Sequence, residues 1–253
     1  MNSPMKSLSC LIFLTASLMM ARPAMSETVA WWRFEQQFSN EAGAADLDIS
    51  AGPGVTFSES VPGSILVAGN ATLPNKSSYS NGSKSDSRVE SAEAIDEAVS
   101  KGSFTIEAFI KIEAPDQGEG FETAFCRIVG TAINEADGGW ALVIHQDKLR
   151  FHAFSAKNGE IVTLTSQANL ARDIWHHVAV VGMRDGEFLD LQIYINGEAQ
   201  TETAQIEGLE GNAIMPLKSP CIIGGYNPFL GLIDELRISN KALPASEFLT
   251  AKQ

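Results

Sequence analysis

The segment Ser103-Phe-Thr-Ile-Glu-Ala-Phe-Ile-Lys-Ile112 puts Phe104, Ile106, Ala108 and Ile110 on one side and Thr105, Glu107, Phe109 and Lys111 on the other. A period of two over ten residues suits a β-strand and no helix. Similar short runs recur along the chain: Thr28–Phe34, Ser64–Val67, Phe125–Thr131, Gly139–His145, Lys148–Ser155 and Ile161–Ser166. Trp175–Met183, Leu189–Ile195, Cys221–Ile223 and Leu230–Ser239 continue the series. In the last of these, Leu232, Asp234, Leu236 and Ile238 are expected on one face and Ile233, Glu235, Arg237 and Ser239 on the other. Gln146-Asp147 and Asn196-Gly197 each join two runs as a tight hairpin, and Arg184–Glu187 is a further turn. Residues 70–91 are rich in Ser, Asn and Gly and read as a long surface loop. Helix is expected only at Glu90–Ser100, stopped by Gly102, and at Pro244–Leu249. Many short strands with so little helix between them predict an all-β antiparallel sandwich, not a βαβ fold.

The chain begins like an export signal. Lys6 supplies the positive start, residues 8–20 are mostly apolar, and Ala24-Met-Ser26 is a small-x-small cleavage site. The apolar run is short for a membrane span, so residues 1–26 are expected to be removed and residues 27–253 to form one exported domain. Cleavage removes two bases, Lys6 and Arg22, and no acids, which takes the net charge from −13 to −15. So acidic a chain repels phosphates, which argues against nucleic acid and anionic membrane surfaces as partners. Cys126 and Cys221 remain, both in apolar strand-like contexts. In an oxidising periplasmic, cell-surface or extracellular location they are expected to form a disulfide. Two separately buried thiols are the alternative.

Six segments in order carry a family resemblance: Val29-Ala-Trp-Trp-Arg-Phe34, Gly102-Ser-Phe-Thr-Ile-Glu-Ala-Phe-Ile-Lys111, Gly138-Gly-Trp-Ala-Leu142, Trp175-His-His-Val-Ala-Val180, Leu191-Gln-Ile-Tyr-Ile-Asn-Gly197 and Cys221–Glu247. Together they resemble the laminin-G-like (LamG) or concanavalin A-like jelly roll over nearly all of 27–253. The resemblance implies a two-sheet antiparallel sandwich. It leaves function open, because lectins, adhesins and glycan-cleaving enzymes share the fold.

Catalytic patterns are absent from the sequence. A jelly-roll glycosidase needs carboxylates two residues apart on one strand, as in Glu-x-Asp-x-x-Glu. The nearest approach, Asp234-Glu235, puts neighbours on opposite faces, and in the family reading Asp234 is a structural residue of the closing strand. His176 and His177 are likewise on opposite faces, and His177, in register with Trp175, Ala179 and Val181, is expected as a hydrogen-bonded core histidine. His145 and His152 lie on one hairpin without a metal-ligand spacing. The expected function is therefore a non-catalytic recognition module that binds a glycan or an extracellular protein through loops. A hydrolase or lyase with dispersed catalytic residues is the alternative. Loop aromatics Tyr79, Phe121, Tyr226 and Phe229 are the candidate ligand contacts, with Trp31 or Trp32 in reserve, since a sugar's C–H face stacks on exposed rings. The resemblance further implies calcium held by loop oxygens, for which Asn70 and Asp137 are the candidates. Trp140 and Trp175 alternate with apolar neighbours and are expected in the core.

Overall fold

The computed structural model describes residues 27–43, 45–67, 71–81, 87–113, 125–131, 138–208, 213–217, 219–225 and 229–252. In chain order the strands are β1 (Thr28–Trp32), β2 (Val55–Ser58), β3 (Ser64–Val67), β4 (Ala71–Leu73), β5 (Ser78–Asn81) and β6 (Ser87–Val89). The helix α1 (Glu93–Lys101) separates these from β7 (Phe104–Ile112), β8 (Cys126–Gly130), β9 (Trp140–His145), β10 (Lys148–Phe154) and β11 (Ile161–Thr165). Then come β12 (Trp175–Asp185), β13 (Phe188–Ile195), β14 (Glu198–Glu207), β15 (Cys221–Ile223), β16 (Gly231–Ser239) and β17 (Thr250–Lys252). Among the described residues no helix is long and apolar enough to cross a membrane.

The strands form two facing antiparallel sheets, as the alternation predicted. The larger runs β14-β13-β12-β7-β16-β5-β2, with β1 also paired to β16, and the smaller runs β11-β10-β9-β8-β15-β6. Between them lies one core, to which β7 gives Phe104, Ile106, Ala108 and Ile110, β12 gives Val178 and Val180, and β10 gives Leu149 and Phe151. Phe104 and Phe151 meet across the two sheets with ring centroids 6.0 Å apart. A third sheet, β17-β3-β4, covers part of the larger sheet's outer face and buries Trp31, Ile65, Phe109 and Leu249 there. Both predicted two-residue turns are present. Gln146 and Asp147 (φ 54° and 58°), like Asn196 and Gly197 (φ 51° and 79°), occupy the left-handed region that a type I′ hairpin requires.

Four expectations are corrected. Residues 70–91 contain β4, β5 and β6 and not one long loop. The face assignment of β12 is inverted: Val178 and Val180 face the central core, while His177, Ala179 and Val181 face outward under the C-terminal segment. A bulge breaks the period of β16. Asp234 pairs with Phe109 and Arg237 with Glu107, so one extra residue is inserted, and Glu235 takes φ 49°. Ile233, Leu236 and Ile238 therefore share the core face, and Asp234, Glu235 and Arg237 do not.

The disulfide is also corrected. Cys126 and Cys221 are free, buried thiols. Their strands are neighbours, as a bond would need, but the register separates them. Ile222 pairs with Gly130 and Ile223 with Val129, so Cys221 lies level with residue 131, five residues from Cys126. Five residues of strand span about 16 Å, far beyond the reach of a disulfide.

Candidate functional site

On β10, Leu149, Phe151 and Ala153 enter the core, which turns Arg150 and His152 to the outer face of the smaller sheet. On β9 the same alternation turns His145 outward beside them, after Ile144. Phe125 immediately precedes β8, and the pairing of Cys126 with Ile144 brings its ring beside His145. The two rings stack with centroids 4.2 Å apart at 14°. His152 meets Phe125 edge-on at 5.2 Å, and the Arg150 guanidinium lies 5.8 Å from the Phe125 centroid. Phe125 is 43% exposed.

Two features make this patch chemically unusual. The outward positions 127, 141, 143, 145, 150, 152, 163 and 165 carry two Arg, two His and no carboxylate, in a chain with 31 acids. Arg150 also has no hydrogen bond or ion pair among the described residues, and its Nε is a buried donor without an acceptor. His152 Nδ1 lies 2.9 Å from Thr163 Oγ1 on β11, while its Nε2 has no partner among the described residues. Burial, with Arg150 and His145 beside it, pushes His152 down to about 4 and keeps the ring neutral at physiological pH. A guanidinium unpaired among the described residues, next to an exposed aromatic ring, offers a charge for an anion and a flat face for an apolar surface.

The larger sheet's outer face carries a second polar group of different character. Glu107, fully buried, receives Arg237 Nε at 2.6 Å, His177 Nε2 at 2.8 Å and the Leu249 backbone N–H at 2.9 Å. Burial would push its carboxyl up, but Arg237 and His177 outweigh burial and hold it below the usual range. His177 is thus the hydrogen-bonded histidine expected, on the face opposite to the one expected. Beside this group, Glu235 accepts from Trp31 Nε1 at 2.8 Å and Arg33 Nε at 3.0 Å. Burial nonetheless raises Glu235 to about 7. Asp234 accepts the Glu235 N–H at 2.9 Å and Asn75 Nδ2 at 2.8 Å, which gives it the structural capping role expected of it. Burial, with Glu235 adjacent, pushes Asp234 well above its ordinary value.

The sequence-predicted contacts fare differently. Asn70, Phe121, Asp137 and Tyr226 lie outside the described residues. Tyr79 and Phe229, expected as exposed stacking rings, are fully buried, and this is a correction. Tyr79 points from β5 into the core, packs 5.2 Å from Phe34, and donates its hydroxyl to Ser87 Oγ and the Ile223 carbonyl. Phe229 packs in the same core just before β16. Trp31 and Trp32 are buried too, with Trp32 Nε1 donating to the Leu47 carbonyl. Trp140 is in the core as expected, whereas Trp175 is only partly buried. No group of three or more His, Cys, Asp or Glu among the described residues is placed to hold a metal ion. Sequence reasoning missed Phe125 and Arg150. The visible signal was the hairpin Val143–His152, whose polar face reads His145, Arg150, His152.

The family model of the concanavalin A-like lectin/glucanases superfamily matches residues 81–248. The chain belongs to this superfamily. Solved structures of similar fold include the binding domain of Paraclostridial Mosquitocidal Protein 1, 16% identical with a TM-score of 0.65, covering 88% of this chain and 51% of that one. The botulinum neurotoxin serotype G binding domain is 15% identical with a TM-score of 0.60, covering 87% of this chain and 49% of that one. The chain spans about half the length of these toxin domains, and at such identities the likeness shows the concanavalin A-like fold alone. No curated protein matches the sequence.

Proposed function

We propose that the protein is an exported, non-catalytic recognition module that binds an acidic glycan on the outer face of the smaller sheet. The observation that carries this reading is Arg150, a guanidinium with no counter-ion among the described residues, beside the exposed Phe125 ring. A sugar carboxylate or sulfate would pair with Arg150, and the ring's C–H face would stack on Phe125. The signal-like residues 1–26 support export. Calcium, through Asn70 and Asp137, belongs to the same reading.

The test is an array of uronate-containing, sialylated, sulfated and neutral oligosaccharides, run with calcium and with chelator. Acidic glycans should bind and their neutral counterparts should not bind at this face. Arg150→Ala should weaken acidic binding by about tenfold or more without changing the melting temperature, the loss of one charge-assisted contact. Equal binding by Arg150→Ala would remove this site. Loss of binding in chelator, restored by calcium, supports the calcium part. Turnover of a bound glycan, abolished by one Asp or Glu substitution, overturns the non-catalytic part.

A further inference from the structure

Above the Glu107 group, on the opposite side of the molecule from Arg150, the C-terminal segment and the larger sheet enclose a cleft of about 270 Å³. Its walls include Phe109, Trp175 and Phe248, with His177 and Asn196 among the polar residues. Among the described residues no Asp, Glu, Lys or Arg lines it, although the chain carries 31 acids. The His177 ring is clamped between Phe109 and Phe248, with centroids 5.1 and 5.4 Å away. Its Nε2 is committed to Glu107, whose only roles are as acceptor, so Nε2 must carry the proton. In the neutral ring Nδ1 is then an acceptor, and it has no protein partner among the described residues. Glu107 is itself held by Arg237 and by the Leu249 N–H, so the tautomer is set from behind the cleft. Trp175 stands two residues along β12 from His177 on the same face, partly exposed, and its indole Nε1–H has no acceptor among the described residues.

We infer that this cleft is a second binding site, for a neutral pyranose ring that stacks on Trp175 and donates a hydroxyl to His177 Nδ1. The absence of lining charge selects against an ionised sugar, because a carboxylate taken there would be desolvated without a partner. A fixed acceptor favours a hydroxyl donor over an isostere lacking one, since the unmatched case leaves a polar group unpaired.

The test titrates the full chain with neutral gluco- and manno-configured pentasaccharides, read by tryptophan fluorescence and by the imidazole ¹⁵N resonances. Trp31, Trp32 and Trp140 are buried, so a fluorescence change reports on Trp175. At least one pentasaccharide should give a saturable change and shift the His177 Nδ1 resonance. Trp175→Ala should weaken that binding by about tenfold, one stacking contact's share, and Trp175→Phe should keep most of it. Arg150→Ala should leave it unchanged, which separates this site from the acidic-glycan face. No saturable change up to about 10 mM, the weak limit for a specific sugar contact, would overturn the inference. So would a silent His177 Nδ1, unaltered affinity in Trp175→Ala, or loss of binding in Arg150→Ala.

Discussion

Glu107 shows how one residue ties together segments far apart in the sequence. It sits at the middle of β7, yet its carboxylate accepts from Arg237 on β16, from His177 on β12 and from the backbone before β17. Removing a single partner from a fully buried ion pair leaves an uncompensated charge. Arg237→Ala is therefore expected to destabilise the fold by about 3–5 kcal/mol in urea unfolding at neutral pH. A loss under about 1 kcal/mol, typical of an exposed pair, would show that the group is not buried in solution. The two cysteines make a second residue-scale prediction. Burial pushes Cys126 up to about 11 and Cys221, which Arg127 and the Gly130 backbone only partly counter, up to about 12. Thiolate, not thiol, is the nucleophile, so neither should react with an alkylating reagent at pH 8 until the protein unfolds. Alkylation at both Cys126 and Cys221 is expected in denaturant without reductant. Protection of both would restore the disulfide.

Most elements with a full apolar face were legible in the sequence, though β2, with Val55 and Phe57 against the core, was missed. β7, β9, β10, β12 and β13 fill their core face with apolar side chains, and each was foreseen to within about two residues, the usual boundary error. β14 was missed because its burial pattern leaves only Gln200 and Ile206 covered, so no period of two appears in its side chains. β5 was missed because Tyr79 is flanked by serines, which read as loop, and only pairing with β16 and β2 makes it a strand. The β16 bulge was invisible for a related reason: Glu235 at positive φ is held by Trp31 and Arg33, partners about two hundred residues away in sequence. The candidate site follows the same rule. The row His145, Arg150, His152 belongs to one hairpin and could be read locally, but Phe125 joins it only through the β8–β9 pairing. β16 also contributes a prediction of its own. A Cβ at Gly231 would overlap the Lys111 carbonyl across the β7 pairing, a backbone atom that cannot rotate away. Gly231→Ala should cost about 1–3 kcal/mol, the range of overpacking, and lower the melting temperature. An unchanged melting temperature would mean that β16 and β7 separate there at little cost.

At the scale of the whole molecule, the proposed site has to work against the charge of its own protein. The chain carries a formal charge of −13, and Arg150 lies in a small basic patch on that background. At about 0.01 M salt the screening length is about 30 Å, comparable with the domain itself, so an approaching acidic glycan meets the net negative field. At about 0.15 M it falls to about 8 Å, and the ligand then responds mainly to the patch. Near 1 M it is about 3 Å, and the Arg150 contact is screened as well. Association of an acidic oligosaccharide is therefore expected to rise from low salt to physiological salt and to fall again toward 1 M. Binding at the neutral cleft should be nearly independent of salt over the same range, because no Asp, Glu, Lys or Arg among the described residues lines it. Stopped-flow association rates across the series check both. A steady decline from the lowest salt would mean that the patch outweighs the global field at every distance. A flat profile for the acidic ligand would show that Arg150 does not carry its binding.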